Sequence, residues 1–195
     1  MPDKDVDGCK VAILATDGVE QVELLEPRKA LDSAGAQTVV VSPKEDGNIR
    51  GWNHTDWGVQ IPVDVALNQA RSEEFDALLL PGGVQNPDKL RMNPAAVQFV
   101  REFFDAGKPV AAICHAAWTI LEAGAADGRH MTSWPSLQTD LRNAGANWAD
   151  EPVVRDRNLV TSRKPDDIPV FNAAMIELFR EYMARTESEE QRPAA

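Results

Sequence analysis

Residues 109–123 read PVAAICHAAWTILEA, and this stretch decides the fold class. Residues 109–114 form a short apolar run, which predicts a buried strand, and residues 116–123 predict the helix that follows it. The run does not alternate between apolar and polar residues, as a strand with one solvent-exposed face would. The stretch therefore predicts one strand-to-helix step of a parallel sheet that helices cover on both faces.

The same pattern continues along most of the chain. Further strands are predicted at residues 11–15, 38–42 and 75–80, and further helices at residues 20–33, 94–107, 137–144 and 168–184. Polar interruptions predict two hairpins, one within residues 47–58 and one across residues 153–160. Together these elements predict an α/β domain with a doubly wound, mostly parallel sheet.

The length and charge of the chain limit its organisation and its partners. The chain has 195 residues and a formal net charge of −11. We expect one domain at residues 10–185, a flexible N-terminus at residues 1–9 and a disordered acidic tail at residues 186–195. The acidic balance argues against nucleic acid and against a membrane as stable partners, because both favour basic surfaces.

The cysteines and histidines favour a reducing compartment and no cofactor. Two cysteines, Cys9 and Cys114, form no disulfide framework, and the sequence shows neither an apolar leader nor a membrane-spanning run. We therefore expect a cytoplasmic protein. Together with His54, His115 and His130, the cysteines show no metal-ligand spacing, and no glycine-rich nucleotide motif is present. The sequence thus predicts no metal and no cofactor.

Cys114 is the first candidate for chemistry, because ligands in such folds bind at the carboxyl ends of the strands. It lies where a strand turns into a helix, with the small residues Ala112 and Ala116 on either side. This is the spacing of a nucleophile elbow, which lifts one side chain above the sheet edge. The following helix would favour the thiolate. The alternative is that Cys114 is a buried small hydrophobe.

A second candidate segment follows the strand at residues 75–80. Gly82 and Gly83 allow close approach of the backbone to a ligand, and the N–H of Gly83 could form an oxyanion cradle with the N–H of His115. The alternative is an ordinary turn.

Six segments together resemble the PfpI family (intracellular protease I-like) of the ThiJ/PfpI superfamily, which also contains the parkinsonism-associated deglycase. They read VAILATDGVEQVELLEP (11–27), GWNHTDWG (51–58), FDALLLPGG (75–83), GKPVAAICHAAWTILEAG (107–124), MTSWPSLQTDLRNAGANW (131–148) and LVTSRKPDDIPVF (159–171). The resemblance covers about residues 10–179. It implies a flavodoxin-like fold, similar to that of class I glutamine amidotransferases, and assembly into at least a homodimer.

The resemblance also implies roles for individual residues. Cys114 would be the nucleophile, Glu20 would hydrogen-bond its sulfur, and His115 would be the neighbouring base. An acid from an adjacent subunit would assist, and Asp88 is the only carboxylate in the matching stretch. If Glu20 touches the thiolate, the two groups should share one proton. Glu23, three residues further on, is a rival on the same face.

Other residues have weaker assignments. His54 is a candidate for the pocket rim or for an interface, and Trp118 is a candidate pocket wall, although core packing would also explain it. His115 could instead lie at a subunit contact, and Glu20 could be a first-turn helix carboxylate.

Two functions remain open at this stage. The first is a cysteine-dependent hydrolase of stress response that acts on a small electrophilic carbonyl substrate, in the manner of a deglycase or glyoxalase, or on a peptide. The second is a non-enzymatic redox sensor or chaperone that uses oxidation of Cys114. A glutaminase activity is disfavoured, because no His occurs after His130.

Overall fold

The computed structural model describes residues 5–45 and 47–190. Within these residues the chain forms twelve strands and six α-helices. In chain order they are β1 (Lys10–Leu14), β2 (Val19–Glu20), α1 (Gln21–Ser33), β3 (Gln37–Ser42), β4 (Asn48–Asn53), β5 (Asp56–Pro62), β6 (Val65–Ala66), β7 (Ala77–Leu80), α2 (Gln85–Arg91), α3 (Pro94–Asp105), β8 (Val110–Ile113), α4 (Ala117–Glu122), β9 (His130–Met131), α5 (Gln138–Asn143), β10 (Asn147–Trp148), β11 (Val153–Asp156), β12 (Leu159–Ser162) and α6 (Ile168–Glu190).

A seven-stranded sheet forms the centre of the fold. Its strand order is β11-β12-β8-β7-β1-β3-β6. All neighbouring strands run parallel except β11, which pairs antiparallel with β12. The five central parallel strands have the flavodoxin-like order 2-1-3-4-5 when they are renumbered among themselves. The predicted fold class is therefore confirmed.

Two apolar layers cover the sheet, and strand β1 shows why both faces are apolar. Ala12 and Leu14 pack into the layer that contains α3 and α4, whereas Val11 and Ile13 pack into the layer that contains α1 and α6. Because successive side chains of a strand point to opposite faces, a strand buried on both sides is apolar throughout. This explains the uninterrupted apolar runs in the sequence.

The two predicted hairpins are present. β11 and β12 form one at the sheet edge, and β4 and β5 form the other, which β2 extends into a three-stranded sheet. Ile49 and Ile61 bury the second hairpin against the α1 layer, and the side chain of Gln21 accepts a hydrogen bond from the N–H of Val59. This hairpin therefore lies over the start of α1, beside the carboxyl ends of the strands.

Both ends of the domain differ from the sequence expectation where they are described. In the segment that we expected to be flexible, Val6 and Cys9 are each 1% exposed, and the N–H of Val6 donates to the carbonyl of Ala34. Val6 and Cys9 therefore pack against the domain. Helix α6 continues to Glu190, beyond the predicted end at residue 184. Residues 1–4 and 191–195 of the two predicted termini lie outside the described residues.

Helix α2 was not predicted, because it is short and carries no apolar stripe. None of the helices in the described part of the chain combines the length and hydropathy that a membrane span requires.

The central strand gives a direct test of this architecture. We expect Ile13→Ala to lower the free energy of unfolding by about 2–5 kcal/mol, because Ile13 is completely buried in β1 and its loss leaves a cavity. Urea denaturation measures the change. Val170→Ala, at a half-exposed site on α6, is the control and should change stability by less than about 0.5 kcal/mol. Equal effects of the two substitutions would contradict the buried position of β1.

Candidate active site

Cys114 lies on a strained turn at the carboxyl end of β8. Its φ is +63°, in the left-handed region that residues with a side chain rarely adopt. A short 3-10 turn, Cys114–Ala116, then leads into α4. A side chain at Gly82 could not be accommodated, since its Cβ would lie 2.6 Å from the carbonyl oxygen of Ile113 and 2.7 Å from Cβ of Cys114. The local geometry is that of the predicted elbow.

The carboxyl group beside the sulfur belongs to Glu23, not to Glu20. Glu23 lies in the first turn of α1, is fully buried and interacts electrostatically with the Cys114 side chain. Its Oε2 accepts hydrogen bonds from the N–H groups of Gly82 at 3.0 Å and Gly83 at 3.2 Å. The expected contact of Glu20 with the sulfur is therefore wrong. Glu20 is still in β2, before the helix begins, and the helical turn directs Glu23 toward the sheet.

Glu23 and Cys114 are a coupled pair. Burial raises the pKa of Glu23 to about 8, so its carboxyl group is largely protonated at neutral pH. Burial, followed by the charge of Glu23, also raises the pKa of the Cys114 thiol, whereas the N–H groups of Gly83 and His115 act in the opposite direction. The sequence predicts that the helix after the elbow lowers the pKa of the Cys114 thiol. The pKa is raised instead, because the effect of burial is larger. The repulsion between a Glu23 carboxylate and a Cys114 thiolate disappears whenever Glu23 is protonated.

His115 is in direct contact with the sulfur. Its Nδ1 lies 3.1 Å from Sγ of Cys114. Burial lowers the pKa of His115 to about 4, so the imidazole is neutral at physiological pH. Its ring stacks on Trp134 at a centroid distance of 5.6 Å and also packs against Trp118 at 5.1 Å. A neutral, sterically fixed imidazole can accept a hydrogen bond from the thiol.

The two amides predicted for an oxyanion cradle surround the sulfur itself. The N–H groups of Gly83 and His115 both point to Cys114. The Gly83 amide also contacts Oε2 of Glu23, so an incoming oxyanion would share this donor with the carboxyl group.

Cys114 forms the floor of a cavity of about 390 Å³. Glu20, His54, Trp52 and Trp134 are among the residues that line it, and Glu23 and His115 lie beside the sulfur. The structure thus brings Cys114, His115, Glu20 and His54 together, as the sequence indicated. In the described ranges no three His, Cys, Asp or Glu side chains converge as metal ligands would.

Three other candidate residues do not line the cavity. Asp88 is exposed on α2 and pairs with Arg91 at 3.9 Å, so within one chain it faces solvent. Trp118 packs behind His115, and its Nε1 donates to Asp140, so it supports the imidazole rather than forming a pocket wall. Gly82 lies beneath Cys114 and contributes its N–H to Glu23.

Two contributors were missed from the sequence. Trp134 lines the cavity, and its N–H donates to the carbonyl of Cys114 at 3.1 Å. Asn86 is fully buried; its side chain accepts from the N–H of Thr16 and donates to the carbonyls of Pro81 and Gly82. Both lie in segments that the resemblance covers or adjoins, but neither has a local pattern that indicates a role.

Comparisons with known proteins support the resemblance. The model of the DJ-1/PfpI family matches residues 9–178. General stress protein 18 of Bacillus subtilis is 41% identical over 172 residues, which is 88% of this chain and 98% of that protein. Deglycase PYRAB04690 of Pyrococcus abyssi is 39% identical over 171 residues, which is 88% of this chain and 99% of that protein.

A solved structure agrees with the fold. It is a two-domain protein of Anabaena variabilis with DJ-1/ThiJ/PfpI-like and ferritin-like domains, and it superposes with a TM-score of 0.82 at 37% identity. The match covers 87% of this chain and 47% of that one, so this chain spans about half the length of the solved protein. The match of the family model and the identity to relatives of similar length lead to one conclusion: the chain belongs to the DJ-1/PfpI family.

Proposed function

We propose that the protein is a cysteine-dependent hydrolase of the deglycase type, with Cys114 as its nucleophile. The observation that carries this proposal is the position of Cys114, on a strained elbow at the floor of a cavity and in contact with both His115 and Glu23. Strained backbone at a cavity floor is a feature of functional sites. The names of relatives, which include a stress protein and a deglycase, support the same class.

The contacts assign each residue a part in the first step. Sγ of Cys114 adds to an electrophilic carbonyl carbon, and the electron pair of the C=O bond moves to its oxygen. The thiol proton passes to Nδ1 of the neutral His115, 3.1 Å away. The protonated carboxyl group of Glu23 adds no negative charge to the site and can donate to the sulfur. With a 1,2-dicarbonyl compound, a proton then moves from the carbon bonded to sulfur to the neighbouring carbonyl carbon by way of an enediol, which leaves a thioester; water cleaves the S–C bond, returns the thiol and releases a hydroxy acid. With a peptide, the C–N bond of the adduct breaks instead, the amine takes the proton from His115, and water hydrolyses the resulting thioester.

The dimensions of the cavity favour a small substrate. About 390 Å³ lies at the lower end of the range for small-molecule sites. An extended peptide would need a long groove, whereas Trp52 and Trp134 form part of the wall of this cavity. A carbonyl compound, or its adduct with a single side chain, fits better than a protein loop, and peptide cleavage remains the second substrate class to be tested.

A redox sensor is the second candidate function, and one atom of Glu23 favours it. Oε1 of Glu23 is buried and makes no regular hydrogen bond to any residue that the structure describes. The protonated carboxyl group could donate to an oxygen on an oxidised Cys114 sulfur, and so stabilise a sulfinate. A cytoplasmic location and assembly into at least a homodimer stay predictions in either case.

Substitution of the nucleophile tests the enzyme hypothesis. We expect Cys114→Ser to lower the turnover of methylglyoxal and of its adduct with N-acetyl-lysine by at least about 100-fold, because a hydroxyl is a much weaker nucleophile here. Product formation is followed by chromatography, with a fluorogenic peptide assayed in parallel. Cys9→Ala is the matched control, since Cys9 is a buried thiol whose pKa burial raises to about 12. Retained activity in Cys114→Ser would refute the role of Cys114.

Mild oxidation tests the sensor. We expect hydrogen peroxide to convert Cys114 selectively to the sulfinate, as seen by peptide mass spectrometry, and Glu23→Leu to reduce the yield of sulfinate, because leucine cannot donate to its oxygens. If the methionines were oxidised and Cys114 were not, the sensor function would be excluded.

The proton on Glu23 predicts a pH dependence of stability. The folded protein keeps this proton up to about pH 8, whereas an unfolded chain loses it near pH 4.5. The stabilising contribution is therefore complete below pH 4.5 and disappears as the pH rises through 8. We expect Glu23→Gln, which cannot ionise, to gain stability relative to the wild type between pH 5 and 8.

Urea denaturation at several pH values measures this difference. His115, whose lowered pKa gives a slope of opposite sign, is present in both proteins and cancels in the comparison. Glu26→Gln, at an exposed position of the same helix, should show a pH dependence parallel to that of the wild type. If the stability of Glu23→Gln instead varied with pH in parallel with that of the wild type, Glu23 would be ionised in the folded protein, which would contradict the prediction.

A further inference from the structure

Asn86 is a buried polar side chain whose hydrogen bonds all go to backbone groups around the site. It is fully buried in the first turn of α2. Its Oδ1 accepts from the N–H of Thr16 at 2.8 Å, and its Nδ2 donates to the carbonyl of Pro81 at 2.9 Å and to that of Gly82 at 3.2 Å. One side chain thus joins the loop after β1 to the loop after β7.

The two carbonyls that this side chain holds belong to the peptide groups whose N–H groups face the site. The carbonyl of Pro81 shares its peptide group with the N–H of Gly82, which donates to Oε2 of Glu23. The carbonyl of Gly82 shares its peptide group with the N–H of Gly83, which donates to the same oxygen and favours the thiolate of Cys114. In a planar trans peptide group, C=O and N–H point in opposite directions. A hydrogen bond to the carbonyl therefore sets where the N–H points.

Glycine at positions 82 and 83 makes this orientation easy to lose. A peptide group between two glycines can rotate without the steric penalty of a Cβ, and Gly83 already has a φ of +76°. Neither glycine can gain a side chain, because a Cβ on Gly82 would lie 2.7 Å from Cβ of Cys114, and one on Gly83 would lie 2.6 Å from the backbone N of Glu20. Reversal of this peptide group would turn a carbonyl oxygen, in place of an N–H, toward the sulfur. The orientation therefore has to be fixed by a contact from outside the loop.

The other contacts of this loop do not replace the one from Asn86. The carbonyl of Gly82 also accepts from the N–H of Glu20, but at 3.4 Å, which is longer than the bond from Asn86. Glu23 accepts from both amides, but its carboxyl group is largely protonated at neutral pH, and a neutral acceptor binds an N–H less strongly than a charged one. The amide of Asn86 does not titrate, so it holds both peptide groups in every protonation state of the site.

We propose that Asn86 is a positioning residue that keeps the amides of Gly82 and Gly83 directed into the site. It thereby maintains the N–H donor that an oxyanion formed beside Cys114 requires. Among the residues that the structure describes, Asn86 is not one that lines the cavity, so it acts through the glycines and exchanges no proton with a substrate. The part that concerns the oxyanion rests on the proposed function, whereas the effect on the sulfur does not.

Substitution of Asn86 by leucine tests the proposal. Leucine keeps the branched shape of asparagine but has no polar atom to hold the carbonyls. We expect Asn86→Leu to slow the alkylation of Cys114 by iodoacetamide at mildly alkaline pH by at least about threefold, because the thiolate loses a donor. Mass spectrometry of the peptide that contains Cys114 follows the reaction.

Turnover provides a second measurement on the same variant. We expect the kcat for methylglyoxal to fall by at least about tenfold while KM stays within about threefold, because the cavity is unchanged and only the donor to the oxyanion is lost. A substitution that merely loosened the fold would not separate kcat from KM in this way.

Asn93→Ala is the matched control. Asn93 also bonds to the backbone, since its side chain accepts from the N–H groups of Ala95 and Ala96, but it does so at the start of α3 and does not line the cavity. Its replacement removes a helix cap and should lower stability, as urea denaturation measures, without changing alkylation or kcat. Slower alkylation in this control would show that a loss of stability alone accounts for the effect.

Asn86→Ala guards against effects of packing. Leucine adds volume and alanine removes it, so a changed access to the sulfur would alter alkylation in opposite directions, whereas loss of the hydrogen bonds slows it in both variants. Opposite changes, or unchanged alkylation in either folded variant, would overturn the positioning role. If neither variant folds while Asn93→Ala does, Asn86 is required by the fold and not by the site, and the proposal is equally overturned.

The two measurements distinguish this inference from the proposed function. If the wild type does not convert methylglyoxal, the proposed function fails for this substrate, but slower alkylation in both variants would still support the role of Asn86. If the wild type is active and a folded Asn86→Leu protein keeps its kcat, the inference about the oxyanion donor is overturned and the proposed function stands.

Discussion

The site depends on one interaction, the contact of the buried Glu23 carboxyl group with the Gly82 and Gly83 amides and with the Cys114 side chain. It joins the first turn of α1, the loop after β7 and the elbow after β8, which are far apart in sequence. The contact requires glycine at position 82, because a Cβ there would lie 2.6 Å from Oε2 of Glu23. It also keeps a proton in the site at neutral pH, since burial raises the pKa of Glu23.

The rest of the fold supports this unfavourable arrangement. A buried carboxyl group and a left-handed cysteine both cost free energy, so they persist only where the surroundings hold them. Here the support comes from two apolar layers on either side of the sheet, from Asn86, which ties the first loop to the loop after β7, and from two tryptophans that fix the His115 ring. Rigid elements thus place a reactive group at the strand ends, where the fold leaves an open edge.

Two carboxyl groups three residues apart lie in different surroundings. Glu23 faces the sulfur and the glycine amides, whereas Glu20 faces the cavity and the hairpin tip. Glu23 affects the protonation of the Cys114 sulfur, and Glu20 lies in the wall of the cavity. The hairpin of β4 and β5, which lies outside the central sheet, therefore forms part of the cavity wall through Trp52 and His54.

The sequence by itself determined the strand and helix order, the doubly wound fold and the position of the elbow at Cys114, because these depend on local apolar patterns and on small residues at fixed spacing. It also placed Glu20, Cys114 and His115 at the same edge, since strand ends meet there. Only the tertiary structure decided which carboxyl group touches the sulfur. That choice depends on where β2 ends and α1 begins. The sequence predicts a helix from residue 20, whereas α1 begins at Gln21, and apolar periodicity does not resolve a shift of one residue. The stacking of Trp134 on His115 likewise arises from a contact between distant segments, which leaves no local signal in the chain.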